Sequence, residues 1–336
     1  MEVHDLSSRK TDHIQLAFEA QAKGYDARFD YEPMLTGYPA KQALPPLVVA
    51  GKVMRAPLWI SSMTGGTEHA GNINRNLATA CKEFGLGMGL GSCRPVLHDD
   101  TYLKDFAVRK EIGDQPLFAN LGIAQIEQLI HEGSFQVLEK MVERLEADGL
   151  IVHVNPLQEW LQPEGDRIEH PPVETIKTLL SEFKLPVMVK EVGQGFGPES
   201  LKALIGMPLE AVDFGAHGGT NFALLENMRS NAFLQEQYEA VAHLGHTATE
   251  MTQMAAAMLH DPAIEVKCRN FIVSGGIRNF LDGYFYIRQI PHAAMYAQAS
   301  AFLKYALLGE KELFDYTAAQ LRGLEMAYTY LTPKTI

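Results

Sequence analysis

A chain of 336 residues with 46% hydrophobic residues holds ample apolar material for a large core, which excludes a disordered protein. With 29 Lys and Arg against 41 Asp and Glu, the net charge is −12, excluding the broad cationic face that duplex nucleic acid or an anionic membrane surface requires. Three cysteines, Cys81, Cys93 and Cys268, form no C-x-x-C pair and no disulfide framework, which points to a reducing compartment.

From the amino terminus, residues 1–25 predict a polar arm leading into a helix, because Ile14, Leu16, Ala17, Phe18 and Ala20 fall near helical spacing. The opening MEVHDLSSRKTDHI has no apolar signal core, and no run of ~18 apolar residues occurs, so a soluble, cytoplasmic protein is expected. Pro33, Pro39, Pro45, Pro46 and Pro57 rule out a long helix over 31–57 and predict extended pieces lying against a scaffold. Short apolar runs then alternate with helical patterns. Strands are expected at 58–61, 87–90, 117–120, 149–154, 186–190, 211–214, 271–274 and 293–297. Helices are expected at 70–84, 135–147, 172–183, 198–205, 246–259 and 280–289, with an extra one inside 222–242 and others over 301–308 and 311–330.

Eight strands alternating with helices predict an α/β protein built on a single closed TIM (β/α)8 barrel, with an N-terminal arm and extra helices. An open doubly wound sheet needs a G-x-G-x-x-G turn after its first strand, and the run from Gly85 to Gly91 has neither that spacing nor that place. The expected organisation is an arm packing on the barrel at 1–57, the barrel at 58–310 and a C-terminal helix at 311–336.

In a barrel, the residues following each strand converge on the carboxyl-terminal face, where this architecture places its reactive sites. Here they include Ser62, Ser92, Arg94, Asn120, Gln158, Glu159, Lys190, Thr220, Arg278 and Ser300, many beside glycines. The Gly218-Gly219-Thr220, Gly275-Gly276 and Ala299-Ser300 turns suit an anion held by backbone N–H groups, although each alone also serves as a plain tight turn. Lys190 ends an apolar strand and needs an anionic partner: Glu191, a substrate carboxylate, or the electron-rich edge of a flavin. Arg9, Lys10 and Arg94 suit a diphosphate. Glu159, beside Gln158 and near Asn155, suits Mg²⁺ completed by water and phosphate oxygens. His243 and His246 lack the further ligands of a zinc set, and Ser62 lacks a G-x-S-x-G elbow.

Taken together, Arg9-Lys-x-x-His13, Ser62-Met-Thr-Gly-Gly66 and His153-Val-Asn155-Pro-Leu-Gln158-Glu159 resemble the motifs of type 2 isopentenyl-diphosphate isomerase, an FMN-dependent family. The resemblance runs from Arg9 to about Leu303. It implies that Ser62, Met63, Thr64, Ser92, Asn120, Lys190 and Thr220 contact FMN, with Gly276, Ile277, Arg278, Ala299 and Ser300 around its phosphate. It also implies that Arg9, Lys10, Ser92, Cys93, Arg94 and Gln158 bind a prenyl diphosphate substrate and that Glu159 binds Mg²⁺. Three departures stand out: Cys93 replaces the usual Gln, His217 and Asn221-Phe222 alter the turn around Thr220, and 297–301 lacks the usual Gly and Pro.

The implied reaction interconverts isopentenyl and dimethylallyl diphosphate with reduced FMN as acid–base cofactor, Lys190 and Gln158 as catalytic residues, and NADPH or a reduced flavin carrier as reductant. A homo-oligomer is expected. The rival is an FMN-dependent 2-hydroxy-acid oxidase, because His217-Gly218-Gly219 is similar to that family's catalytic His-Gly-Gly; there an Arg that clamps the substrate carboxylate follows, and here Thr220 does.

Overall fold

The computed structural model describes residues 6–22, 24–39, 44–62 and 66–336. Eight parallel strands close into a barrel: β1 (Leu58–Ile60), β2 (Gly87–Gly89), β3 (Leu117–Gly122), β4 (Gly149–Val154), β5 (Val187–Glu191), β6 (Ala211–Asp213), β7 (Asn270–Val273) and β8 (Ala294–Gln298). Closure runs through β8 against β1, with Tyr296 opposite Leu58 and Gln298 opposite Ile60. All eight expected strands are present, to within one or two residues at their ends, as the TIM barrel that the alternation predicts.

Strand side chains alternate between the outer face, covered by helices, and the barrel interior. Inside, Trp59, Phe118, Ile151, Met188, Ala211, Ile272, Met295 and Ala297 form one buried apolar cluster. Two residues further along their strands, the same inward face carries Asn120, His153, Lys190, Asp213 and Ser274. The interior is thus apolar below and polar at the mouth.

The proline-rich segment supplies the other cap. Leu47–Val49 pairs antiparallel with Lys52–Met54, and Val49 and Met54 join the apolar cluster, plugging the amino-terminal end. The hairpin is tied down where the Ala50 N–H donates to Glu210 Oε1 at 2.7 Å, just ahead of β6. A second small ladder, Phe29–Tyr31 with Leu331–Pro333, joins the arm to the chain end.

The helices differ from expectation in several places. The arm helix is Leu6–Leu16 rather than centred on 14–20; Ile14, Leu16 and Phe18 are 72%, 53% and 88% exposed, so no packing fixes its limits. The segment between β6 and β7 holds Phe222–Arg229, Ala232–Tyr238 and a 3₁₀ turn at Glu239–His243, broken where Asn231 caps a new start. Helices Ile123–His131 and Pro156–Leu161 follow β3 and β4 directly, and neither was expected. Among the described residues no helix is long and apolar enough to cross a membrane.

Candidate active site

The polar layer at the mouth is internally bonded. Asn120 Nδ2 donates to the Leu90 carbonyl at 3.0 Å, which turns Oδ1 towards His153 Nδ1 at 2.9 Å. Burial, and then the Lys190 charge, push the His153 imidazole down to about 3, so the ring is neutral. With Oδ1 as acceptor its proton sits on Nδ1, leaving Nε2 as an acceptor. Gly122 leaves room for this pair: a Cβ would lie 2.9 Å from His153 Nε2 and 2.3 Å from Gln125 Oε1, so those side chains would have to shift.

Lys190 stands between His153 and Asp213 in register. Its Nζ donates to the Glu191 carbonyl at 2.9 Å. Burial pushes the ammonium below its ordinary value, while Asp213 and then Glu191 pull it back up. The Glu191 carboxylate shapes the following loop, with Oε2 accepting the N–H groups of Gly193, Gln194 and Gly195 at 2.6, 2.6 and 2.8 Å.

Above this layer opens a pocket of ≈ 470 Å³. Ser62 and Lys190 line one part, and Thr220, Gly276, Ile277, Arg278, Ala299 and Ser300 another. Gly275 lets two loops touch: its φ is +88°, and a Cβ would fall 1.9 Å from the Ala216 carbonyl oxygen. Helix Ser300–Leu308 begins at the same end, aiming free N–H groups at a prospective anion. Lys304, which the sequence did not single out, also lines it. Gln298 braces the cradle, donating to the Ile277 carbonyl at 3.2 Å and accepting from the Tyr316 hydroxyl at 2.8 Å. The Ser62 hydroxyl is buried without a hydrogen-bond partner, as expected of a group awaiting a ligand.

A second group lies around helix Pro156–Leu161. Asn155 Nδ2 donates to Gln158 Oε1 at 3.1 Å and to Glu159 Oε1 at 2.8 Å, and Gln158 Nε2 donates to Glu226 Oε1 at 3.3 Å. Glu226 is buried and also accepts from Arg229 at 2.5 Å. Glu159 Oε2 accepts the Asp166 N–H at 2.7 Å, and Asp166 in turn accepts from Arg94 and Gln125, each at 2.7 Å. Glu226 and Asp166 escaped the sequence because they come from an inserted helix and a loop, without periodicity or motif.

Several expected site residues lie elsewhere. Arg9 and Lys10 are exposed on the arm helix and do not line the pocket. Cys93, expected beside the substrate, is instead turned into the core: its thiol is fully buried, donates to the Gly91 carbonyl at 3.4 Å, and is pushed up by burial to about 12. Ser92 is exposed beside it. Met63 and Thr64 fall outside the described residues. Among the described residues no three His, Cys, Asp or Glu side chains are grouped to hold a metal, so Glu159 offers a single carboxylate. A larger cavity of ≈ 530 Å³ lies on the flank, lined by residues of helices Ile123–His131 and Pro172–Glu182; it receives none of the strand ends.

No family model matches the sequence. Its relatives are decisive. The isopentenyl-diphosphate delta-isomerase of Rickettsia felis is 37% identical over 266 residues, covering 79% of this chain and 74% of that one. The protein of the same name from Cronobacter sakazakii is 34% identical over 342 residues, covering 97% and 93%. The chain belongs to the isopentenyl-diphosphate delta-isomerases. The resemblance carried by the Arg9, Ser62 and His153 motifs is borne out, and the chain is an enzyme of that family. Among solved structures, this isomerase is similar in fold to flavocytochrome b2 with pyruvate bound (TM-score 0.61, 14% identity, 97% of this chain and 82% of that one). It is also similar to a mandelate oxidase carrying a monooxide FMN adduct (TM-score 0.55, 12% identity, 98% of each chain).

Proposed function

We propose that this isomerase interconverts isopentenyl and dimethylallyl diphosphate with reduced FMN seated in the ≈ 470 Å³ mouth pocket. One observation carries the reading: a buried, partnerless Ser62 hydroxyl, a lysine and a glycine cradle share one pocket at the mouth of the family's barrel. These residues fit the group: Ser62 offers a donor to the ring, and Thr220, Gly276, Ile277, Arg278, Ala299 and Ser300 suit the phosphate. Asn120 and Ser92, the other residues that the resemblance assigns to the ring, do not line this pocket. When bound, reduced FMN supplies the acid–base chemistry that adds one proton to the alkene and removes another, with no net redox change.

The chain's own residues do the rest. Lys190 places a fixed positive charge at the pocket floor, a preorganised electrostatic contribution. Gln158 is held with its amide oriented, Oε1 towards Asn155 and Nε2 towards Glu226, so it presents a defined face to the alkene. Arg94, together with Arg9 and Lys10 of the arm and with Mg²⁺ on Glu159, would anchor the diphosphate; that remote binding energy would fix the reacting carbons. NADPH or a reduced flavin carrier is the proposed source of electrons. A cytoplasmic homo-oligomer is the proposed state, supported by the apolar Ile14, Phe18, Met34 and Leu35 that the arm leaves exposed.

The hydroxy-acid oxidase reading draws on the shared barrel and on His217. Yet the pocket is lined by Ala216 and Gly218 and not by His217, whose Nδ1 is buried without a partner. Thr220 offers no clamp for a carboxylate. A pair of variants separates the two. Lys190→Ala, saturated with FMN, abolishes isomerisation, whereas His217→Ala leaves it largely intact. Near-wild-type turnover in Lys190→Ala removes the electrostatic role.

A further inference from the structure

The polar layer contains a carboxylate that none of the roles above uses. Asp213 is 2% exposed, stands opposite Lys190 in the β5–β6 register and faces inward with it. We propose that Asp213 is a positioning residue that keeps the Lys190 ammonium charged beneath the pocket, a role that rests on, and deepens, the reading of Lys190 as the cationic partner of a reduced flavin. Ser274, from the end of β7, holds the carboxylate in place.

The groups facing Lys190 narrow the choice to Asp213. On β4, His153 is a neutral imidazole bonded to Asn120 and offers no counter-charge. On β3, the Asn120 amide is already taken by Leu90 and His153. On β5 itself, Glu191 directs Oε2 to three main-chain N–H groups, hydrogen-bonds Lys190 only through its carbonyl, and its charge raises Lys190 less than Asp213 does. On β7, Ser274 is uncharged: its hydroxyl donates to Asp213 Oδ1 and accepts the Gly215 N–H at 2.8 Å. That leaves Asp213 as the inward-facing carboxylate on the neighbouring strand, in register with Lys190. Burial drives a lysine towards its neutral form, and Asp213 is the largest influence opposing it here. A neutral Lys190 would leave the electron-rich edge of a reduced ring without a charge partner.

The midpoint potential of FMN bound to the holoenzyme reads this role directly, because a cation at the ring favours the reduced, anionic form. Anaerobic spectroscopic titration at pH 7.5 would compare wild type with Asp213→Asn, Lys190→Met and the double variant. Asp213→Asn should lower the midpoint by at least ~30 mV, which for a two-electron couple is a tenfold loss of preference for reduced flavin. Lys190→Met should lower it similarly, and the double variant no further. An unchanged or higher midpoint in Asp213→Asn alongside a lowered one in Lys190→Met overturns the role of Asp213 and leaves that of Lys190 standing. An unchanged midpoint in Lys190→Met removes both. If Asp213→Asn fails to take up FMN, Ser274→Ala serves instead, since it keeps the carboxylate but strips a donor and makes protonation easier. Its midpoint should fall below wild type at pH 6 and converge with it by pH 8; coincident curves throughout overturn the proposal.

Discussion

Replacing His153 with Gln should change how the protein tolerates acid. The native imidazole stays neutral down to about 3, whereas an unfolded histidine titrates near 6.5. Below pH 6.5 the unfolded chain therefore binds a proton that the native state refuses, and this residue costs the native state ~1.4 kcal/mol per pH unit. By pH 5 that amounts to about 2 kcal/mol, which partial solvent access to the ring trims to ~1–2 kcal/mol. Asp213 works the other way: raised from 3.8 to about 6 by burial, it takes up a native-state proton first and offsets the loss between roughly pH 6 and 4. Comparing the variant with wild type at each pH cancels Asp213 and most other groups. Urea unfolding followed by circular dichroism at pH 7.5 and pH 5.0 is the assay. His153→Gln loses some stability at pH 7.5 with its Asn120 bond, then gains ~1–2 kcal/mol relative to wild type at pH 5.0. A stability difference that stays the same at both pH values refutes the neutral, buried imidazole.

Two further outcomes follow from the site. Glu159→Gln removes the carboxylate proposed for Mg²⁺ and keeps an acceptor for only one of its two donors, Asn155 Nδ2 or the Asp166 N–H; the Mg²⁺ concentration for half-maximal activity should rise at least ~tenfold, and an unchanged titration takes Glu159 out of the metal site. Gly275→Ala forces a side chain into a φ of +88° and against the Ala216 carbonyl, a strain on the order of 2–4 kcal/mol. FMN affinity, read by flavin fluorescence quenching, should fall at least ~tenfold, and an unaltered affinity means the cradle does not serve the phosphate.

The barrel was legible because each strand is a short apolar run bounded by turn residues, a pattern fixed by burial on both faces. Helix Phe222–Arg229 and its neighbours were only partly legible, since the break at Ser230-Asn231 is set by local capping rather than periodicity. The arm helix was displaced for the opposite reason: its apolar residues are exposed, so spacing there reports no buried face. In the site, Lys190 and Thr220 announced themselves as polar residues at strand ends and do line the pocket. Asp213 was readable in principle, two positions after inward-facing Ala211, but it sat inside an expected strand and drew no attention. Glu226, Asp166 and Lys304 depend on how loops and helices fold back over the mouth, which no local pattern encodes. The inward turn of Cys93 was likewise invisible, because the chain spacing around it suits either face.

Everything proposed for this isomerase depends on reduced flavin held at the barrel mouth. Anaerobic conversion of isopentenyl diphosphate by the FMN-loaded protein, before and after dithionite reduction, tests it most directly. The protein should be yellow, inactive when oxidised, and should form dimethylallyl diphosphate once bleached. A colourless protein that binds no FMN, or equal turnover in the oxidised and bleached states, would contradict it.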